Sequence, residues 1–137
     1  MKNTVIILLA CVFLLISCDR KEETAILLSN KPIDPSSLEF VSEKPVFTQR
    51  EKIYYILLSK DPIEDKKLRL QILKLDMKYP YHKIEPAYGI DINRGQGKHY
   101  VTDYFTLHTT GKHVIRFFGH SDLEKPIAET EFWIEPL

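Results

Sequence analysis

A glycine turn and an aromatic strand follow one another in residues 109–119, which read Thr-Thr-Gly-Lys-His-Val-Ile-Arg-Phe-Phe-Gly. Gly111 suits a sharp turn, and the run from His113 to Gly119 is rich in the β-branched and aromatic residues that favour strands. Adjacent phenylalanines point to opposite faces of such a strand. This stretch therefore predicts a strand entered from a tight turn, with an aromatic side chain on each face.

The sequence on both sides continues this pattern. Before it, a strand is predicted from about His99 to Thr109, with apolar residues on one face and Asp103 out of pattern. After it, a polar loop at 121–125 leads into residues 127–134, where apolar residues alternate with Glu129, Glu131 and Trp133. Alternation with a period of two is typical of a half-buried strand.

Earlier parts of the chain predict further short strands. Residues 52–59 are nearly all apolar, which is typical of a strand covered on both faces or near the centre of a sheet. Alternation in the run Leu68 to Met77 favours a strand, although its residue types leave a helix open. A short strand is predicted over 87–92, after a proline, and two more candidates lie at 38–41 and at 25–29, the latter as an edge strand.

About seven short strands with frequent turn residues and no amphipathic helix predict an all-β protein. The expected architecture is a single antiparallel β-sandwich. In layout, residues 99–135 resemble the closing strands of immunoglobulin-like and fibronectin-type-III-like domains. The Cys–Trp–Cys core of antibody domains is absent, and His113 stands near the position of the tyrosine in a tyrosine corner. The resemblance supports the architecture and no particular family.

The N-terminus has the plan of a secretory signal peptide. Lys2 supplies a positive charge, and Val5 to Ile16 is an apolar run without a charged residue. This run is shorter than the roughly 20 residues of a membrane-spanning helix, and the charged stretch Asp19 to Glu23 follows almost at once. A cleaved leader is therefore expected, with an uncleaved anchor as the alternative.

Leu15-Ile16-Ser17-Cys18 resembles the lipobox of bacterial lipoproteins. The resemblance implies that the Cys18 thiol receives diacylglycerol, that cleavage falls between Ser17 and Cys18, and that a diacyl or triacyl (palmitate-type) anchor holds the chain in a membrane. It predicts a signal peptide at 1–17, a lipidated tether at 18–37 and one sandwich domain at 38–137. The expected location is the cell envelope, with periplasmic and surface-exposed placement both open.

Cleavage would also determine which cysteine remains in the mature chain and whether its thiol is free. Cys11 would leave with the signal peptide and Cys18 would carry lipid, so the mature chain would have neither a disulfide nor a free thiol. The whole chain has 19 basic and 19 acidic residues. A near-neutral chain gives no reason to expect nucleic acid as a partner.

No residue set predicts catalysis, and no cofactor is expected. His108 and His113 flank one turn and are weak candidates for a metal site, which needs at least a third ligand. Residues 95–98 read Gly-Gln-Gly-Lys, but they lack the spacing and the following helix of a phosphate loop. We therefore expect the histidines to lie on the surface or in turns, and residues 95–98 to form a hairpin loop.

Aromatic residues give the best localised functional hypothesis. If Tyr104, Phe118 and Trp133 meet on the surface, they form an apolar patch of the kind that binds a partner. The predicted function is therefore a membrane-anchored, non-catalytic binding or structural domain whose partner is another envelope protein. The alternatives are an envelope enzyme or accessory subunit, and a histidine-based metal- or solute-binding lipoprotein.

Overall fold

The computed structural model of the chain describes residues 24–38, 45–76, 78 and 83–137. The predicted signal peptide, Cys18, the charged start of the tether and most of the candidate strand at 38–41 lie outside these residues. No helix among the described residues is long and apolar enough to cross a membrane.

Eight strands make up the described part of the chain. They are β1 (Thr24–Ser29), β2 (Val46–Thr48), β3 (Ile53–Ser59), β4 (Leu68–Asp76), β5 (Lys83–Ile92), β6 (Tyr100–Phe105), β7 (Gly111–Gly119) and β8 (Ala128–Glu135). The prediction of an all-β fold is confirmed. Residues 68–76 form a strand and not a helix, because their alternating apolar side chains are buried on one face.

The strands form two sheets, with the order β1-β3-β6 in one and β2-β8-β7-β4-β5 in the other. All neighbouring strands are antiparallel except β2, which pairs in parallel with β8. Central β7 lies between β8 and β4 and forms the strand predicted from the aromatic stretch. The result is a β-sandwich in which most consecutive strands change sheets, whereas β4 and β5, and β7 and β8, are hairpin neighbours within the five-stranded sheet.

Apolar side chains from both sheets fill the space between them. The inward residues of β3, β4 and β7 are almost completely buried. Aromatic rings join the two layers, since Tyr55 of β3 lies 5.4 Å from Phe117 of β7, and Phe105 of β6 lies 5.9 Å from Phe132 of β8, measured between ring centroids. Contacts of this kind stabilise a core beyond the apolar area they bury.

The sandwich includes a strand from the range assigned to the tether. β1 lies within the range assigned to the tether, yet Ile26 and Leu28 are buried in the shared core. β1 is an edge strand, as predicted for residues 25–29, and pairs with β3 along its whole length. The Thr24 hydroxyl also donates to the backbone oxygen of Ile127, which links the two sheets.

β5 is longer than predicted and contains a proline. The sequence suggested that the strand begins after Pro86, but β5 runs from Lys83 to Ile92. Its register with β4 shifts at Ile72 and Leu73, leaving Ala87 as an extra residue in a bulge. Because β5 is the edge of its sheet, a residue without a backbone N–H is tolerated there.

The turn before β7 depends on its glycine. Gly111 has a φ of 102°, a backbone conformation that residues with a Cβ rarely adopt. This conformation carries the chain from Leu107 at the end of one sheet into β7 in the other. It places His113 in the core only two residues into the strand.

Candidate functional site

An apolar row crosses the outer face of the five-stranded sheet. Cross-strand pairing places Val46, Trp133, Lys112, Leu75 and Ile84 side by side on β2, β8, β7, β4 and β5. Trp133 is 41% exposed, and Val46 and Ile84 are more exposed still. These five residues are called the Trp133 surface below.

One cation lies within this row. The Lys112 Nζ atom is 5.7 Å from the centroid of the Trp133 ring and 3.0 Å from a carboxylate oxygen of Glu131. The lysine therefore lies against the tryptophan while its charge is partly balanced by the neighbouring strand. The surface offers a partner an aromatic ring, aliphatic side chains and one positive charge.

Tyr104, Phe118 and Trp133 do not form the single patch that the sequence suggested. Tyr104 lies on the outer face of the three-stranded sheet, whereas Trp133 lies on the outer face of the other sheet, so the core separates them. Phe118 is only 6% exposed. Its ring lies 5.7 Å from the guanidinium carbon of Arg116, so it packs under a neighbouring side chain. Strand alternation gave each residue an outward direction but could not say to which sheet its strand belongs.

None of the outward-facing residues in the three-stranded sheet is charged. Pairing of β1, β3 and β6 arranges nine outward residues in three rows across the strands. Tyr100 and Tyr104 are exposed, whereas Ile56 at the centre is buried. This set is called the tyrosine face below and consists of Ala25, Leu27, Ser29, Tyr54, Ile56, Leu58, Tyr100, Thr102 and Tyr104.

Tyrosines dominate one end of the tyrosine face. The rings of Tyr54 and Tyr104 lie 5.6 Å apart between centroids. The Lys52 ammonium lies 4.7 Å from the centroid of the Tyr104 ring. The sequence signal for this face was the nearly continuous apolar run at 52–59. It predicted a strand covered on both faces or near the centre of a sheet. β3 is the central strand of the three-stranded sheet, and its outward residues lie on the outside of the sandwich.

The two histidines proposed as weak metal ligands have different environments. The His113 ring is fully buried, with Nδ1 3.0 Å from the Gly111 backbone oxygen and Nε2 2.9 Å from the Thr109 hydroxyl. A carbonyl oxygen only accepts, so Nδ1 carries the proton and Nε2 accepts from the hydroxyl. His108 is exposed. Across the ranges that the structure describes, no group of three or more His, Cys, Asp or Glu residues is placed to hold a metal ion.

A small charged cluster lies at the opposite end of the five-stranded sheet from Trp133. The carboxylate of Asp91 accepts from Arg69 and lies 3.1 Å from Nε2 of His120. The hydrogen bond from Arg69 and then that from His120 lower the pKa of Asp91 to about 2. All three side chains are open to solvent, so the cluster is a solvated ion pair rather than an active-site acid.

A shallow groove lies where the chain enters the sandwich. Ala25 and Ile26 of β1 form one wall, and residues 125–130 form the other. Asp65 and Asp122 stand at one end of the groove. The side chain of Asp65 accepts from the backbone N–H of Ser121, and that of Asp122 accepts from two backbone N–H groups of its own loop. These carboxylates organise loops, and the groove brings no nucleophile and base together.

Fold and surfaces together define a β-sandwich with an apolar surface on the outer face of each sheet. No protein-family model matches the chain, and no curated protein is significantly similar to it in sequence. Among solved structures, the soluble domain of PmoD from Methylocystis sp. ATCC 49242 (Rockwell) is similar in fold, with a TM-score of 0.51 and 11% sequence identity. The match covers 82% of this chain and 90% of that one. At this identity the likeness concerns the fold alone.

Proposed function

We propose that this protein is a lipid-anchored protein of the cell envelope that acts by non-catalytic binding through the Trp133 surface. The observation that carries the binding role is a tryptophan 41% exposed in an apolar row that spans all five strands of a sheet. An exposed apolar surface of this kind is costly in water unless a partner covers it, and tryptophan is enriched at binding hot spots.

The anchor is supported by the sequence Leu15-Ile16-Ser17-Cys18 and by the position of the first described strand. β1 starts at Thr24, six residues after Cys18. Every described strand therefore lies on the C-terminal side of the proposed cleavage site. Cys18 would be the only cysteine of the mature chain, and its thiol is free for lipid because no disulfide partner remains.

The anchor is tested by metabolic labelling with an alkyne-bearing palmitate in cells that express the protein. The wild-type chain should take up label, shorten by the length of the signal peptide and stay with the membrane fraction. Cys18→Ser should remain unlabelled and uncleaved. Cys11→Ser is the matched control and should behave as the wild type. Equal labelling of the Cys18→Ser chain would refute the anchor.

The binding role is tested by photo-cross-linking in the same cells. A photoreactive amino acid at Val46 lies within the Trp133 surface, and one at Glu129 lies on the same sheet face but at its charged end. We expect a discrete envelope protein to cross-link from position 46 and not from position 129. Trp133→Ala should weaken that product strongly, because removing a buried interface tryptophan typically costs more than ~2 kcal/mol. Identical products from both positions would contradict a specific site.

A further inference from the structure

The tyrosine face is unusual for the outside of a two-layer sandwich. Outer faces of antiparallel sheets normally carry the polar half of each strand, because that half meets water. Here the nine outward residues of β1, β3 and β6 include no charge, and three of them are tyrosines. A surface that is apolar but bears hydroxyl groups fits an environment between water and hydrocarbon.

The start of the chain places this face near the proposed anchor. β1 is an edge strand of the three-stranded sheet, and its first residue follows Cys18 by six residues. Six residues span at most about 20 Å when fully extended. The row of Ala25, Leu58 and Tyr100 lies at the Thr24 end of the sheet. A lipid on Cys18 would therefore hold this end of the tyrosine face close to the bilayer.

The rim of the face suits a lipid surface. Four exposed lysines lie just beyond the ends of its strands, at positions 31, 52, 60 and 98. Lysines in such positions reach lipid phosphates while their stems cover apolar surface. Three acidic residues lie nearby: Asp61 is exposed, the Glu51 carboxylate accepts from the Thr48 backbone N–H at 2.6 Å, and Asp103 of β6 forms an ion pair with Arg94.

We infer that the domain lies with its tyrosine face on the bilayer that holds its lipid. Tyrosine side chains concentrate at the interface between membrane and water, where ring and hydroxyl are both accommodated. The tether keeps the face at high effective concentration beside the membrane, so a weak interaction suffices. The Trp133 surface then points away from the membrane, since it lies on the other sheet. This inference rests on the proposed anchor and adds an orientation to it.

The test uses the mature chain, residues 18–137, which retains every described strand and has Cys18 as its only cysteine. The thiol is coupled to a maleimide-bearing phospholipid in vesicles made of phosphatidylcholine and phosphatidylglycerol in equal parts. Brominated acyl chains quench tryptophans that lie in or near the hydrocarbon. Tyr104→Trp combined with Trp133→Phe places the only tryptophan on the tyrosine face. The wild type, with its tryptophan on the opposite sheet, is the matched control.

We expect the tryptophan of the double variant to shift its emission to the blue and lose intensity on brominated vesicles, and Trp133 of the wild type to do neither. Adding Tyr100→Glu to the double variant should remove the quenching while the anchor stays in place. Far-UV circular dichroism checks that each variant is folded, and Tyr100→Trp in the Trp133→Phe background reports on the same face if Tyr104→Trp does not fold.

Equal quenching at both positions, or none at position 104, would overturn the inference. So would a tryptophan at position 104 that is already shielded without vesicles in a chain that elutes as a dimer, because a second copy would then cover the face. Chemical coupling through Cys18 does not depend on lipidation in cells. Failure of the anchor in the labelling experiment and failure of the orientation in this one are therefore separate results.

Discussion

At the residue scale, His113 performs a task similar to that of the tyrosine in the tyrosine corner of many immunoglobulin-like domains. A tyrosine corner ties the start of its strand to the backbone a few residues upstream. Here the buried imidazole does so with both nitrogens, through the Thr109 hydroxyl and the Gly111 backbone oxygen. It also stacks on Phe132, with 5.4 Å between ring centroids. The histidine is therefore a structural group of the turn between the two sheets.

Burial lowers the pKa of His113. The neighbouring Lys74 ammonium acts in the same direction, and the hydrogen bond to Gly111 opposes both. The folded protein thus keeps the ring neutral at a pH where the unfolded chain, with a pKa of about 6.5, takes up a proton. Because the unfolded state binds more protons, the free energy of unfolding falls as pH drops below about 6.5, down to the lower pKa of the folded state.

We predict that His113→Tyr removes this part of the pH dependence. The measurement is the free energy of unfolding in urea at a series of pH values between neutral and mildly acidic. His108→Ala, which changes an exposed histidine on the same turn, is the control and should keep the wild-type profile. A His113→Tyr profile that runs parallel to the wild type would show that other groups cause the acid sensitivity.

At the scale of elements, the sequence indicated most of the strands but not which strands pair with one another. β3, β4 and β8 were predicted from the run at 52–59 and from the alternation at 68–76 and 127–134. Each of these segments has a strong alternating pattern or a strong β propensity. β2 was not predicted because a strand of three residues is too short to show an alternating pattern of apolar and polar residues. Assignment of a strand to one sheet or the other depends on distant pairing, which no local pattern contains. For that reason the predicted surface patch combined residues from two different sheets.

β1 shows how a strand near the start of the described chain contributes to stability. Its inward residue Leu28 is 3% exposed and belongs to the core shared by both sheets. We predict that Leu28→Ala lowers the free energy of unfolding by about 2–5 kcal/mol, since it removes buried methyl groups and leaves a cavity. Leu38→Ala, at an exposed position after the strand, should change it by roughly 0.5 kcal/mol or less. Equilibrium denaturation measures both.

Equal, small effects of the two substitutions would mean that β1 is dispensable and that the sandwich starts at a later strand. A large effect of Leu28→Ala alone would place the start of the stable fold at β1. The charged link between lipid and domain would then be the short stretch Asp19 to Glu23, and not the longer tether that the sequence suggested.

At the scale of the whole molecule, the two sheets share one core, and each buries its apolar face against the other. Phe105 in the three-stranded sheet contacts Tyr55, Tyr88 and Phe132, of which the last two belong to the five-stranded sheet. We predict that Phe105→Ala costs about 3–5 kcal/mol and lowers the unfolding midpoint of both sheets together. Near-UV and far-UV circular dichroism should give coincident transitions, as expected for a single cooperative unit. Two separated transitions would indicate that the sheets unfold independently.

If the chain is anchored to a membrane as proposed, the proline in edge strand β5 has a further consequence. Proteins confined to a surface reach high two-dimensional density, and an open sheet edge would then invite strand-by-strand polymerisation. Pro86 lacks a backbone N–H, and the bulge beside it breaks the even spacing that an incoming strand would need. On the other sheet, the Arg94 guanidinium donates to the Thr102 backbone oxygen on the free edge of β6. At two of the four sheet edges, those of β5 and β6, a strand from a neighbouring molecule would therefore meet an obstacle to regular pairing.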